Sequence, residues 1–91
     1  MFIVVALHNT GHGEAATPIF LTEDLCSALG SARAAESLGY QFYADDTYVA
    51  ICRLDPERAY SKDGLPWIFI RRCNNGKWKE EWIDKVLQAT V

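Results

Sequence analysis

The stretch LTEDLCSALGSARAAESLGY, residues 21–40, is the best-specified element of the sequence, and the rest of the fold is organised around it. Thr22 is a good N-cap, because its hydroxyl can accept a hydrogen bond from an amide two or three residues further on. Apolar residues then recur at helical spacing, at Leu25, Ala28, Leu29, Ala32, Ala35 and Leu38. Gly39 supplies a stop, since glycine readily adopts the left-handed conformation that ends helices. The sequence therefore predicts one long helix over residues 22–38, with an apolar stripe that needs a partner surface.

Around this helix the sequence is mostly strand-like. Phe2–His8 is apolar and rich in β-branched residues without alternation, which is typical of a central strand covered on both faces. Thr17–Leu21 is a short extended segment, and Pro18 favours a position at the edge of a sheet. Trp67–Cys73 has the pattern of a further strand with apolar residues on both faces.

The segment from Tyr40 to Leu54 has the pattern of a β-hairpin that turns at Asp45-Asp46. In that register Tyr43 pairs with Tyr48, and the paired residues alternate between two faces. The expected core face consists of Tyr40, Phe42, Val49 and Ile51, and the opposite face carries both tyrosines, Tyr43 and Tyr48.

The C-terminal segment carries two conflicting signals. Asn74-Asn75-Gly76 is a strong turn signal, so that the following residues could form the return arm of a hairpin. Apolar residues in the same segment also recur at helical spacing, at Trp78, Trp82, Ile83, Val86 and Leu87. We favour a C-terminal helix over residues 77–89. The predicted fold is a single α+β domain over residues 1–91, a two-layer sandwich with a mainly antiparallel sheet of 3–5 strands.

Composition excludes several classes of protein. The chain of 91 residues is 49% hydrophobic, which excludes a disordered chain and fits one small core. The net charge of -3 does not suggest the basic face of a nucleic-acid-binding domain.

Cys26, Cys52 and Cys73 form no CxxC pair, which favours buried free thiols in a reducing compartment. With no membrane-spanning run and no basic residue before the first apolar run, we expect a cytoplasmic protein.

His8, His12 and Glu14 are candidate ligands for zinc or another divalent ion. The familiar pair of histidines four residues apart lies on a helix, where both rings share one face. Here the first histidine ends a strand and the second lies in a glycine-rich loop. We therefore expect both rings to be solvated, with no metal and no other cofactor bound.

Arg71, Arg72, Lys77 and Lys79 form a small basic cluster that includes Trp78. Aromatic residues among basic ones can bind single-stranded nucleic acid. Four cations on a net-acidic chain more commonly form a solvated face. Nucleic-acid binding through this cluster is therefore an alternative hypothesis.

Surplus apolar area is the most informative feature of the sequence. Phe2–His8 and Trp67–Ile70 are apolar on both sides, and a chain of this size has few elements with which to cover two sheet faces. Either the C-terminal segment or another chain must cover the second face, because exposed apolar patches mark interfaces. We predict a homodimer that uses the second face of the sheet or an exposed edge.

The leading functional hypothesis is a small non-enzymatic binding protein that occupies the surface of a protein partner. It follows from the small size, the aromatic content and the lack of a catalytic constellation. Accessory proteins of phages and other mobile elements that inhibit host defence are often of this kind. The expected interaction residues are Tyr43, Tyr48, Arg71, Arg72 and Trp78. The alternatives are a nucleic-acid-binding accessory protein that uses Arg71, Arg72, Lys77, Trp78 and Lys79, and a small metal-binding protein or enzyme that uses His8 and His12.

Overall fold

The computed structural model describes residues 1–9, 14–35, 48–55, 57, 66–74 and 77–91. The described elements, in chain order, are β1 (Phe2–Asn9), β2 (Glu14–Thr22), α1 (Leu25–Ala34), β3 (Tyr48–Arg53), β4 (Trp67–Asn74), β5 (Lys77–Trp82) and α2 (Lys85–Gln88). The five strands form one sheet in the order β2-β1-β3-β4-β5, and every neighbouring pair is antiparallel. The predicted α+β class with a mainly antiparallel sheet is therefore confirmed.

The first strand is central, as its unbroken apolar run predicts. β1 is paired with β2 on one side and with β3 on the other. Val4 and Val5 point to opposite faces, and their exposed fractions are 0% and 5%, so both faces of the strand are covered. β2 lies at the edge of the sheet, as Pro18 predicts, although it begins earlier than expected, at Glu14.

Helix α1 packs on one face of the sheet, against β1, β2 and β3. Its apolar stripe is buried at Ala28, Leu29, Ala32 and Ala35, in agreement with the predicted spacing. The sheet residues buried in the same core are Phe2, Val4, Val49, Ile51, Ile68 and Phe69. Leu87 of α2 packs against this core as well, so both described helices contribute to one layer.

The long helix predicted over residues 22–38 is wrong in its extent, because α1 covers ten residues, Leu25–Ala34. Thr22 is not the N-cap, since it still belongs to β2, opposite Phe2. Asp24 takes that role, and its Oδ2 accepts a hydrogen bond from the Ser27 amide at 3.0 Å. Hydrogen bonds from the Ser27 hydroxyl and amide lower the pKa of Asp24. The end predicted at Gly39 lies outside the described residues.

The hairpin predicted at Tyr40–Leu54 is corrected in its second arm. Tyr48–Arg53 forms β3, which is paired with β1 along one edge and with β4 along the other. The first arm, Tyr40–Ala44 with Tyr43, lies outside the described residues. The assignment of faces is correct for the second arm, because Val49 and Ile51 are buried in the core beneath α1.

The helix predicted over residues 77–89 is also wrong. Lys77–Trp82 forms β5 and pairs with β4, and a helix of four residues follows, Lys85–Gln88. The spacing between Trp78 and Trp82 is the cause of the error. Residues four positions apart lie on the same face of a helix, and because four is an even number they also lie on the same face of a strand. The turn signal at Asn74-Asn75-Gly76 was therefore the better guide.

The second face of the sheet is apolar too. Val5, Leu7 and Ala50 form its buried centre, with exposed fractions of 5%, 4% and 0%. Partly buried residues pack around them, namely Ile3, Tyr48, Trp67 and Ile70. The centre of this face is thus buried within one chain, while its surrounding apolar residues are only partly covered. The predicted homodimer, through this face or an exposed edge, stays a prediction.

Candidate functional site

The register of β4 and β5 divides the predicted basic cluster between two faces. Arg71 pairs with Glu80, and Arg72 pairs with Lys79. Consecutive residues of a strand point to opposite faces. Arg71 therefore shares the helix-covered face with Trp78 and Glu80, whereas Arg72 and Lys79 lie on the second face.

On the helix-covered face, Arg71 is held by three neighbours. The guanidinium carbon of Arg71 lies 4.4 Å from the centroid of the Trp78 ring, which is a cation–π contact. Its Nε lies 3.5 Å from Oε2 of Glu80, an ion-pair distance without a hydrogen bond. Its Nη1 donates to the carbonyl oxygen of Arg33 at 3.5 Å. Only 13% of the Arg71 side chain is exposed, so this arginine is fixed in place.

Glu80 links this arrangement to the helix. Arg33, in the last turn of α1, donates from Nε to Oε2 at 2.9 Å and from Nη2 to Oε1 at 3.0 Å. This bidentate geometry ties the end of α1 to β5. The hydrogen bond from Arg33, with the positive charges of Arg33 and Arg71, lowers the pKa of Glu80 against the opposing effect of its burial. Since half of the Arg33 side chain is exposed, the pair contributes at most about 1 kcal/mol.

On the second face, Arg72 makes a similar arginine–aromatic contact, one residue along β4 from Arg71. The guanidinium carbon of Arg72 is 4.9 Å from the ring centroid of Tyr48, on the adjacent strand β3. Tyr48 is partly buried, whereas Arg72 is exposed. Two arginine–aromatic contacts therefore stand back to back on β4. We refer to Arg71, Trp78, Arg72 and Tyr48 as the arginine–aromatic cluster.

Strands β4 and β5, which we call the β4–β5 hairpin, carry three of the four cluster residues and are positively charged within an acidic protein. Residues 67–82 contain four cations and two carboxylates, a net charge of +2, whereas the whole chain carries -3. The remaining residues therefore carry -5. One end of the sheet thus differs in charge from the rest of the molecule.

Four of the five predicted interaction residues form two pairs, Arg71 with Trp78 on the helix-covered face and Arg72 with Tyr48 on the second face. The fifth, Tyr43, lies outside the described residues. Of the other predicted cations, Lys79 lies beside Arg72, and Lys77 begins β5. Sequence reasoning missed Arg33 and Glu80. These two residues are 47 positions apart, and no local pattern relates them.

The candidate metal ligands are placed only in part. His8 lies in β1 opposite Ala15, Glu14 begins β2 opposite Asn9, and His12 lies outside the described residues. Within the described ranges, no three His, Cys, Asp or Glu residues are grouped so that they could hold a metal ion. The metal-binding hypothesis therefore stays a prediction.

The cysteines differ in environment, and all three are free. Cys52 is fully buried, and burial raises its pKa to about 12. Cys26 is exposed on the first turn of α1, and Cys73 is only partly buried, so the prediction of buried thiols is confirmed for Cys52 alone.

Comparison with known proteins assigns no family. The chain matches no protein-family model, and no curated protein or solved structure shows significant similarity to it. No helix in the described part of the chain has the length and apolar character needed to cross a bilayer. A functional conclusion therefore depends on the geometry of the residues themselves.

Proposed function

We propose that this chain is a small cytoplasmic, non-enzymatic binding protein that uses the arginine–aromatic cluster to occupy the surface of a protein partner. The observation that carries the proposal is the pair of contacts on β4, Arg71 on Trp78 and Arg72 on Tyr48. Arginine, tryptophan and tyrosine are the residue types enriched in the hot spots of protein interfaces. A cluster of these types at one end of a small sheet fits that role.

The cluster is organised before any partner arrives. Arg71 is held by Trp78, by Glu80 and by the carbonyl of Arg33, all within the folded chain. Binding loses affinity when flexible side chains must be ordered at the interface. A guanidinium that is already fixed avoids much of this cost, which supports a recognition role for the arginine–aromatic cluster.

The charge distribution indicates the kind of partner. A hairpin of net charge +2 on a chain of net charge -3 favours an acidic surface opposite the hairpin and disfavours one opposite the rest of the chain. Complementary charge steers encounters and suppresses wrong orientations. The proposal therefore specifies a partner with carboxylates around its contact site. The small size suggests a specific form of this proposal, in which the chain is a phage or mobile-element protein and the partner is a host-defence protein that it inhibits.

Binding of nucleic acid is the competing use of the same residues. A stacking platform for single strands needs an aromatic face open beside cations on the same surface. Here Trp78 lies against Arg71, and Arg71 is largely buried and paired with Glu80. The remaining cations, Arg72 and Lys79, lie on the other face. Nucleic-acid binding requires several cations along one surface to contact the phosphate backbone, and the predicted cations are instead divided between two faces.

Affinity capture from the native cell with charge-reversal variants tests the proposal. Arg72→Glu changes an exposed residue of the cluster, and Lys85→Glu makes the same change of charge on an exposed residue of α2. We expect the wild type and Lys85→Glu to recover the same protein, and Arg72→Glu to lose it. Equal recovery by Arg72→Glu would contradict the proposed site.

Nuclease treatment of the captured material separates the two classes of partner. If a protein binds directly, its recovery is unchanged after digestion of nucleic acid. Fluorescence anisotropy with a labelled single-stranded oligonucleotide gives a second measurement, with little binding expected near physiological salt. Tight binding that weakens in Arg72→Glu would favour the nucleic-acid alternative instead.

A further inference from the structure

The two edge strands of the sheet differ in how they are protected. An open edge presents unpaired backbone N–H and C=O groups, and natural proteins guard such edges with charges, prolines and bulges. Four of the six residues of β5 are charged. By contrast, β2 has one charged residue in nine, Glu14 at its start, and its only guards are Pro18 and an irregularity opposite Val4/Val5.

The C-terminal end of β2, beyond Pro18, also carries exposed apolar side chains. Phe20 is 42% exposed and Leu21 is 55% exposed. Phe20 pairs with Val4 and Leu21 pairs with Ile3, so that the two exposed side chains flank the edge on opposite faces. Within the described part of the chain, β2 pairs with β1 alone, and its outer edge is open.

We propose that this outer edge of β2 pairs with β2 of a second copy of the chain, with the two strands antiparallel across a two-fold axis. A two-fold axis brings the same surface of each copy together, so the surface must be complementary to itself. Ala15–Thr22 carries no charge, and therefore no like charges meet when the strand pairs with its own copy. The copies bury Phe20 and Leu21 on both sides of the joined edges.

The other edge lacks these features. Four of the six residues of β5 are charged, two of them lysines, and charged side chains on an edge strand guard it against pairing. The neutral edge of β2 has no such protection beyond Pro18 and the neighbouring irregularity.

The expected dimer is weak and reversible. Pro18 has no amide hydrogen to donate, and the irregularity in the β1–β2 register falls beside it. Continuous pairing is thus confined to Ile19–Thr22 with its apolar side chains, and the interface is at the small end of the specific range. We expect dissociation in the micromolar range, about 1–100 µM.

The dimer would hold the two β5 strands at opposite ends of one continuous sheet. This inference does not depend on the proposed function, because it uses the far edge of the sheet. If both hold, each dimer carries two arginine–aromatic clusters that face away from one another. Two linked sites bind a repeated or multimeric partner more tightly than one site does.

Sedimentation velocity over a concentration series tests the self-association. We expect the wild type to shift, between about 1 µM and about 1 mM, from the 10.2 kDa chain mass toward twice that mass. The double variant Phe20→Lys with Leu21→Lys should stay monomeric at every concentration. Val86→Lys is the matched control, because Val86 is an exposed apolar residue, 78% exposed, outside β2. It should dimerise as the wild type does.

Hydrogen exchange of the wild type gives a readout that needs no variant. The amides of Ile19–Thr22 should gain protection as the concentration rises through the dissociation constant, while the amides of β5 should not. A wild type that remains monomeric throughout the series overturns the proposal. So does a dimer that persists in a folded double variant, or one that leaves β2 exchange unchanged.

Discussion

Replacing Phe69 with alanine is expected to remove a large part of the stability of the domain. Phe69 is fully buried in β4, with an exposed fraction of 0%. Its ring contacts Trp82 edge to face, with centroids 5.0 Å apart and an interplanar angle of 66°. Phe→Ala substitutions in cores cost about 3–5 kcal/mol, of which an aromatic pair accounts for roughly 0.5–1.5 kcal/mol. A domain of ordinary stability has only about 5–15 kcal/mol in total.

Thermal unfolding followed by circular dichroism measures this loss. At about 4–8 °C per kcal/mol for a domain of this size, Phe69→Ala should lower the Tm by roughly 12–40 °C. Phe69→Leu keeps more of the apolar volume and should lie between Phe69→Ala and the wild type. Val86→Ala is the control, since Val86 is 78% exposed and its loss should shift the free energy of unfolding by less than about 0.5 kcal/mol. A Phe69→Ala variant that melts within about 5 °C of wild type would refute the placement of this ring in the core.

Three further predictions follow from single residues. Gly30 lies inside α1 with nothing within 4 Å of an added Cβ, so Gly30→Ala should stabilise the domain by about 0.5–1 kcal/mol in urea unfolding. An unchanged or lowered stability would contradict that geometry. The pKa of Glu80 is lowered in the folded state, so its stabilisation is complete above the ordinary value of 4.5 and is lost as the pH falls through the folded pKa. The stability difference between wild type and Glu80→Gln should therefore shrink on acidification, and a constant difference would argue against the Arg33 pair. Burial raises the pKa of Cys52 from 9.0 to about 12. Its thiol therefore costs the fold nothing below pH 9.0, and the free energy of unfolding falls as the pH rises toward about 12, because the thiol ionises more readily in the unfolded chain. Cys52→Ala should reduce the alkaline loss of stability, and in thiol labelling of the native wild type the exposed Cys26 should react well before Cys52. Equal labelling rates would show that Cys52 is accessible.

Local patterns predicted the parts of the fold whose physics is local. The unbroken apolar run of β1 follows from its burial on both faces, with Val4 and Val5 both covered. The apolar stripe of α1 follows from helical spacing and holds as far as Ala35. Both features depend on which side chains are buried, and the spacing of apolar residues within a short window of sequence predicts this burial.

The errors arise where two structures share one pattern or where the partner is distant. Trp78 and Trp82 are spaced equally well for a helix and for one face of a strand, and only pairing with β4 decides between them. The two edges of β3 are taken by β1 and β4, strands separated from it by long stretches of chain. A local hairpin pattern cannot anticipate such competition, because it contains nothing about distant strands.

The candidate site was predictable as a set of residues but not as an arrangement. Arg71, Arg72 and Trp78 are conspicuous in the sequence, as an arginine pair close to a tryptophan. Their division between two faces follows only from the strand register. The link from Glu80 to Arg33 connects two elements far apart in the chain and depends on where α1 ends on the sheet.

The most direct test of the central claim is the affinity of the captured partner for the purified wild type and for two alanine variants, measured by isothermal titration calorimetry. Arg72→Ala removes an exposed guanidinium of the arginine–aromatic cluster, and Lys85→Ala removes an exposed cation of α2. If the cluster is the binding site, Arg72→Ala should weaken binding by about 2 kcal/mol, roughly 30-fold, and Lys85→Ala should leave it within about twofold of wild type. Equal affinities for wild type and Arg72→Ala would contradict the account.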